Sequence, residues 1–269
     1  MLEGIFQTED VQLHYVKSNS KGSPILLIHG GISRWQAFES IIPELEKEGH
    51  VYALDLRGHG KSGRVPNRYR LEDYLSDIVN FIKEHIAEPV IIFGHSLGGI
   101  LGIQLAAHYP ELVKGLVIGE SPMEIEVLKE GSEKLMKWKM MIQNGPEMSK
   151  HMMPKKGDNP LLDFMVESVM LTDPGVLIAM IDQFDETYAG YNTDILLPKI
   201  HCPVLLLQGN PELKGVVRDQ DVKKALKLLP NAKHVKLENV GHTLQFENKD
   251  AVLGVILPFI KHLINVNEK

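Results

Sequence analysis

Ser96, at the centre of Gly94-His95-Ser96-Leu97-Gly98, is the residue of this chain best placed by its neighbours to do chemistry. The apolar run Val90-Ile-Ile-Phe93 leads into it and a helix-like pattern follows, which predicts a buried strand, a sharp turn and a helix. Such a turn leaves no room for side chains near the serine backbone, so glycine two residues before and two after has a steric cause. The turn also sets the Leu97 N–H at a helix N-terminus, where it can face a developing negative charge. A hydroxyl is a weak nucleophile at neutral pH and needs a base within reach. Histidine suits that role because its free pKa is near the working pH. His242, in the loop Asn239-Val-Gly-His-Thr243 after a short alternating strand, is the candidate.

Two more stretches fit the same frame. Pro24-Ile-Leu-Leu-Ile-His-Gly-Gly-Ile32 is an apolar strand ending in His29-Gly30-Gly31, and Asp55-Leu-Arg-Gly-His-Gly-Lys-Ser62 follows the strand His50–Leu54. With serine early and histidine late, the chain resembles the α/β-hydrolase superfamily from about Ile5 to about Ile264. The resemblance implies a doubly wound, mostly parallel sheet with an inserted helical cap. It also implies a Ser96–His242 pair, an oxyanion hole built from the Gly31 and Leu97 N–H groups, and no cofactor. Epoxide hydrolases and haloalkane dehalogenases of the superfamily carry aspartate at the elbow, so Ser96 argues against both. His59 is implied to be a loop stabiliser.

The acid of the triad departs from the usual pattern. Most relatives carry Gly-x-x-Asp after the seventh core strand, whereas this chain has Gly209-Asn-Pro-Glu212. Glu120, at the end of the sixth core strand, is the preferred candidate because some members supply the acid from there. Glu212 competes with it. Asp219 and Asp221 remain open, although both look like first-turn acids of the next helix.

The bulk composition fits a globular enzyme. The 269 residues are 43% hydrophobic and 24% charged, with a net charge of −6 and no basic stripe, which argues against a nucleic-acid partner. The single cysteine, Cys202, cannot form an internal disulfide and is expected to be a buried structural thiol. No two histidines stand at metal-ligand spacing with a carboxylate, so no metal is expected. No apolar run approaches membrane-spanning length and the N-terminus lacks signal-peptide features, so a cytoplasmic protein is the expectation.

Short apolar strands are expected at Ile25–Ile28, Val51–Leu54, Val90–Phe93, Gly115–Gly119, Val204–Gln208 and His234–Leu237, with an edge hairpin from Gly4–Phe6 and Gln12–Val16. Helices are expected near Trp35–Glu48, Leu71–His85, Leu97–His108, Gln220–Leu229 and Thr243–Ile264. This rhythm breaks between Ser121 and Pro198, which gives a hydrolase core of 1–120 and 199–269 and a helical cap of 121–198. Of 11 methionines, all but Met1 lie between Met123 and Met180, suiting a cap that lines an adaptable apolar pocket. Trp35, Trp138, Met140, Met141 and Phe184 are the candidate lining. The expected function is cleavage of a small-to-medium apolar carboxylic ester through an acyl-enzyme. Lactone, thioester or carbon–carbon bond hydrolysis, or perhydrolysis, would use the same triad. A non-catalytic small-molecule receptor is the alternative of a different class.

Overall fold

A computed structural model describes residues 1–143, 157 and 159–266 of the chain. Its strands are β1 (Leu2–Gln7), β2 (Gln12–Lys17), β3 (Pro24–Ile28), β4 (His50–Leu54), β5 (Val90–His95), β6 (Val113–Gly119), β7 (Val204–Gly209) and β8 (Ala232–Leu237). They form one sheet in the order β1-β2-β4-β3-β5-β6-β7-β8. β2 pairs antiparallel with β1 and β4, and every other pairing is parallel.

Every residue of β3, β5 and β7 is buried, as expected for central parallel strands covered on both faces. The period of two divides their side chains between two cores. Leu26, Ile28, Ile92, Leu116 and Leu206 meet the helices Leu71–Asn80 and Leu97–His108 on one face. Ile25, Leu27, Ile91, Phe93 and Leu205 meet the helix Gln245–Val266 on the other. All the parallel strands therefore end on one edge, where His29, Ser96, Glu120 and the loops after β7 and β8 emerge.

Between β6 and β7 the described residues form no strand. They form the helices Ile125–Lys134, Met136–Gln143, Pro160–Met170 and Pro174–Ile181, followed by short turns. The helix expected near Trp35–Glu48 is instead a 3₁₀ turn, Trp35–Phe38, and a one-turn helix, Ile42–Leu45. Pro43 causes the break, because it has no N–H to donate to the Glu39 carbonyl and is tolerated only in the first turn of a new helix. Among the described residues no single helix is long and apolar enough to cross a membrane. Cys202 is partly buried, and burial pushes its thiol up to about 11, which suits packing rather than nucleophilic chemistry.

A buried ion pair secures the loop after β4. Arg57 Nε and Nη2 donate to Asp77 at 2.6 and 2.7 Å, and Nη2 also reaches Asp10 at 3.2 Å. The side chains of Arg57 and Asp77 are only 1% and 3% exposed. Removing one partner of such a pair strands the other charge in a dry site. Arg57→Met is therefore expected to lower unfolding free energy by roughly 3–5 kcal/mol in urea titration. A loss below about 1 kcal/mol would show that the pair behaves like a surface salt bridge.

Candidate active site

The turn at Ser96 is strained. Its φ of 52° and ψ of −116° are unusual for a residue with a side chain, and the helix Leu97–His108 starts directly after it. A Cβ on Gly94 would strike the Gly98 carbonyl, and one on Gly98 would strike the Ile28 carbonyl. Glycine at both positions lets strand, turn and helix close up. Ser96 N donates to Gly119 O at 2.9 Å, which joins the turn to the end of β6.

The loop after β3 is held by neutral histidines. His29 Nδ1 donates to Gly30 O at 2.7 Å, and its Nε2 accepts from Leu56 N at 3.0 Å. His59 Nδ1 donates to Arg57 O at 2.8 Å, and its Nε2 accepts from Ile32 N at 3.1 Å. Burial pushes His59 down to about 3, which keeps Nε2 free to accept. Among the described residues the N–H groups of Gly31 and Leu97 have no protein acceptor, and both residues line the same cavity.

The same loop grips the helix Pro160–Met170. Arg34 Nη2 donates to Glu167 Oε2 at 2.8 Å and Nε to Ser168 Oγ at 3.3 Å, while the guanidinium lies 4.9 Å from the Phe164 ring centre.

His242 is held from four directions. Its Nδ1 lies 3.3 Å from Glu120 Oε2, and its carbonyl accepts from His95 Nε2 at 2.7 Å. On either side, Gly241 N and Thr243 N donate to Glu247 at 2.6 and 3.0 Å. Glu120 is fully buried, with a φ of 46°. Its Oε1 accepts from Gly209 N at 2.6 Å and its Oε2 from Val216 N at 2.7 Å. Burial and the neighbouring His242 push His95 down to about 3, so it remains an uncharged donor. Among the described residues no hydrogen bond joins Ser96 Oγ to the His242 ring.

The other carboxylates point elsewhere. Glu212 is exposed, and its backbone N–H donates to Asn210 Oδ1. Asp219 accepts from Gln208 and Lys236, and Asp221 is paired with Arg218. Glu247, in the first turn of the helix Gln245–Val266, holds the backbone on both sides of His242, a role not assigned from the sequence. A glutamate five residues after the histidine was the available signal.

Ser96, His242, Gly31, Leu97 and Trp138 all line one cavity of about 580 Å³. Trp35 does not. It is 8% exposed and sits in the core with Phe38 and Ile41, its backbone N–H held by Asp55. Phe184 is also core, its ring tilted against Tyr188 with centres 4.8 Å apart, and Met140 is exposed. Met141 falls in the helix Met136–Gln143, but its side chain lies outside the described residues. Of the methionines expected to line the pocket, Met165 and Met180 reach the cavity, whereas Met123 is core and Met136 and Met170 are exposed.

Comparison with known proteins agrees with this architecture. The family model for the alpha/beta hydrolase fold matches residues 23–152. Epoxide hydrolase 4 of Mus musculus is 30% identical over 115 residues, 42% of this chain and 32% of that protein. The chain thus spans about a third of the length of the epoxide hydrolases it matches. A Haemophilus influenzae protein whose name carries a provisional esterase/lipase assignment is 25% identical, covering 93% of this chain and 87% of that one. Among solved structures, a thermophilic esterase from Thermogutta terrifontis superposes with a TM-score of 0.77 at 19% identity, covering 98% of this chain and 100% of the other. Residues 23–152 thus match the alpha/beta hydrolase family model, and the solved structures share this fold over nearly the whole chain.

Asp55, beneath the loop after β3, accepts from Trp35 N, Lys61 N and His14 Nδ1 at 2.8, 3.0 and 2.9 Å. Burial alone would lower the His14 pKa, but the hydrogen bond and charge of Asp55 outweigh it and raise the value. A folded-state pKa above the unfolded one gives stability that is fully present below about pH 6.5 and lost as pH rises through the folded value. The Tm gap between the wild type and His14→Gln should therefore be widest near pH 5.5 and shrink towards about pH 8.5. A gap that widens with pH would show His14 to be neutral in the folded protein.

Proposed function

We propose that the chain is a serine hydrolase of small-to-medium apolar carboxylic esters, with Ser96 as nucleophile, His242 as base and Glu120 as the orienting acid. One observation carries this reading. Glu120 Oε2 lies against His242 Nδ1, which leaves Nε2 as the ring nitrogen available to a cavity that Ser96 also lines. A direct Ser96–His242 hydrogen bond is not a precondition, because such bonds often tighten only when substrate is bound.

Ser96 Oγ attacks the ester carbonyl while His242 Nε2 takes its proton. The carbonyl oxygen gains negative charge between the Gly31 and Leu97 N–H groups, each such donor being worth about 3 kcal/mol in the transition state. The His242 proton passes to the leaving alcohol, and the acyl group stays on Ser96. Water then attacks the acyl-enzyme with His242 again taking the proton, which releases the acid and restores the serine. Glu120 orients the His242 ring through Nδ1 in both steps.

Residues 121–198 are the cap in this reading, over a core of 1–120 and 199–269. Phe164, Met165 and Met180 of the cap line the cavity. Serine at the elbow argues against epoxide opening, despite the names of the matched epoxide hydrolases.

Hydrolysis of p-nitrophenyl esters from acetate to decanoate tests the proposal. Ser96→Ala should abolish turnover, and the chain-length optimum should reflect the size of the cavity. Glu120→Gln should lower kcat by about 10²- to 10⁴-fold, whereas Glu212→Gln should leave it unchanged. The opposite result would reassign the acid. No turnover by the wild-type protein would overturn the ester reading in favour of lactones, thioesters, carbon–carbon substrates or a receptor.

A further inference from the structure

Among the described residues Gly31 contributes a cavity N–H group without a protein acceptor, and a side chain of the helical insertion closes over it. A Cβ built on Gly31 would lie 3.0 Å from Met180 Cε and 3.4 Å from its Sδ. Among the described residues no other residue of the insertion comes as near to that point, and the next neighbour is Leu97 Cδ2 at 3.9 Å. Met180 belongs to the helix Pro174–Ile181, where Val176, Leu177 and Ala179 are buried. The start of that helix is fixed to the core, since Asp173 caps Gly175 N at 2.7 Å and Asp173 N donates to Gly58 O at 2.8 Å. The thioether is thus presented from an anchored element.

This placement constrains what can be bonded to a reacting carbonyl. With its oxygen between Gly31 N and Leu97 N, an ester must turn its leaving oxygen towards His242, the proton donor. In the serine-hydrolase reading the acyl group then extends away from His242, towards Gly31 and Met180. A straight chain presents only a methylene there. A branch at the α carbon adds a methyl group where the Met180 side chain already sits.

We propose that Met180 is a specificity-determining residue that favours acyl groups unbranched at the α carbon. The inference rests on the serine-hydrolase reading given above. Methionine is unbranched and flexible, so it yields under pressure, and the selection is graded rather than absolute. One misplaced methyl group in an apolar pocket is worth about 10-fold or somewhat more in kcat/KM.

The test compares p-nitrophenyl butyrate with p-nitrophenyl isobutyrate on the full chain. The wild-type protein should prefer butyrate, and Met180→Ala should raise the isobutyrate-to-butyrate ratio of kcat/KM by about 10-fold. Met180→Leu, similar in volume, should keep the wild-type ratio. Met165→Ala, which enlarges the cavity away from Gly31, should change both rates together and leave their ratio as it was. Thermal melts of each variant establish that it folds, and Met180→Val replaces Met180→Ala if the latter does not. An unchanged ratio in a folded Met180→Ala or Met180→Val protein overturns the proposal, as does an equal rise in Met165→Ala. Butyrate turnover with an unchanged ratio would sink only the Met180 assignment. Turnover of neither ester by the wild-type protein would sink the hydrolase reading, and the assignment with it.

Discussion

A buried carboxylate organises the edge of the sheet that carries the candidate site. Glu120 has no solvent exposure, so its charge must be answered by protein groups alone. Gly209 N at the end of β7, Val216 N in the loop beyond it and His242 Nδ1 after β8 supply the answer. The end of β7, the loop beyond it and the loop after β8 are thereby fixed to the end of β6. The unfavourable φ at Glu120 is a local cost of aiming its side chain across the neighbouring strand, and the three bonds offset it. Removing any one donor would leave part of a buried charge unanswered, which is why the loops beyond β7 and β8 take one arrangement.

Three buried histidines brace the loop after β3 and the loop of His242 without adding charge. Burial lowers the pKa of His29, His59 and His95, so each can donate through one nitrogen and leave the other bare. A protonated ring at any of these places would lose an acceptor or set a cation beside His242. Asp55 and His14, by contrast, form a hydrogen-bonded pair below the loop after β3 that favours the protonated imidazole. The region therefore confines ionised groups to pairs and uses neutral imidazoles elsewhere.

Much of the architecture was legible because its causes are local. Apolar runs such as Val90–Phe93 announce buried strands, and the glycines around Ser96 announce a turn that excludes side chains. The edge hairpin follows from the same reading. What was not legible depends on register and facing. Trp35 has the composition of a pocket residue, but nothing in the sequence tells which face of the sheet its loop covers. The single break at Pro43 turned an expected helix into two short pieces. The methionines share a segment but not an environment, because a helix that packs on one side exposes the other. Glu120 and Glu212 could be separated only by the alignment of β6 with β7 and β8, which no spacing in the chain reveals.

Glu247 and His95 give the loop around His242 a further property. Its two flanking N–H groups and its carbonyl are all bonded before any ligand arrives. Ordering a backbone residue costs about 1–2 kcal/mol at room temperature. Here that ordering is complete when the chain folds, so the free energy released by a ligand is not diverted into stiffening the loop. The histidine meets whatever enters the cavity as a part already in place.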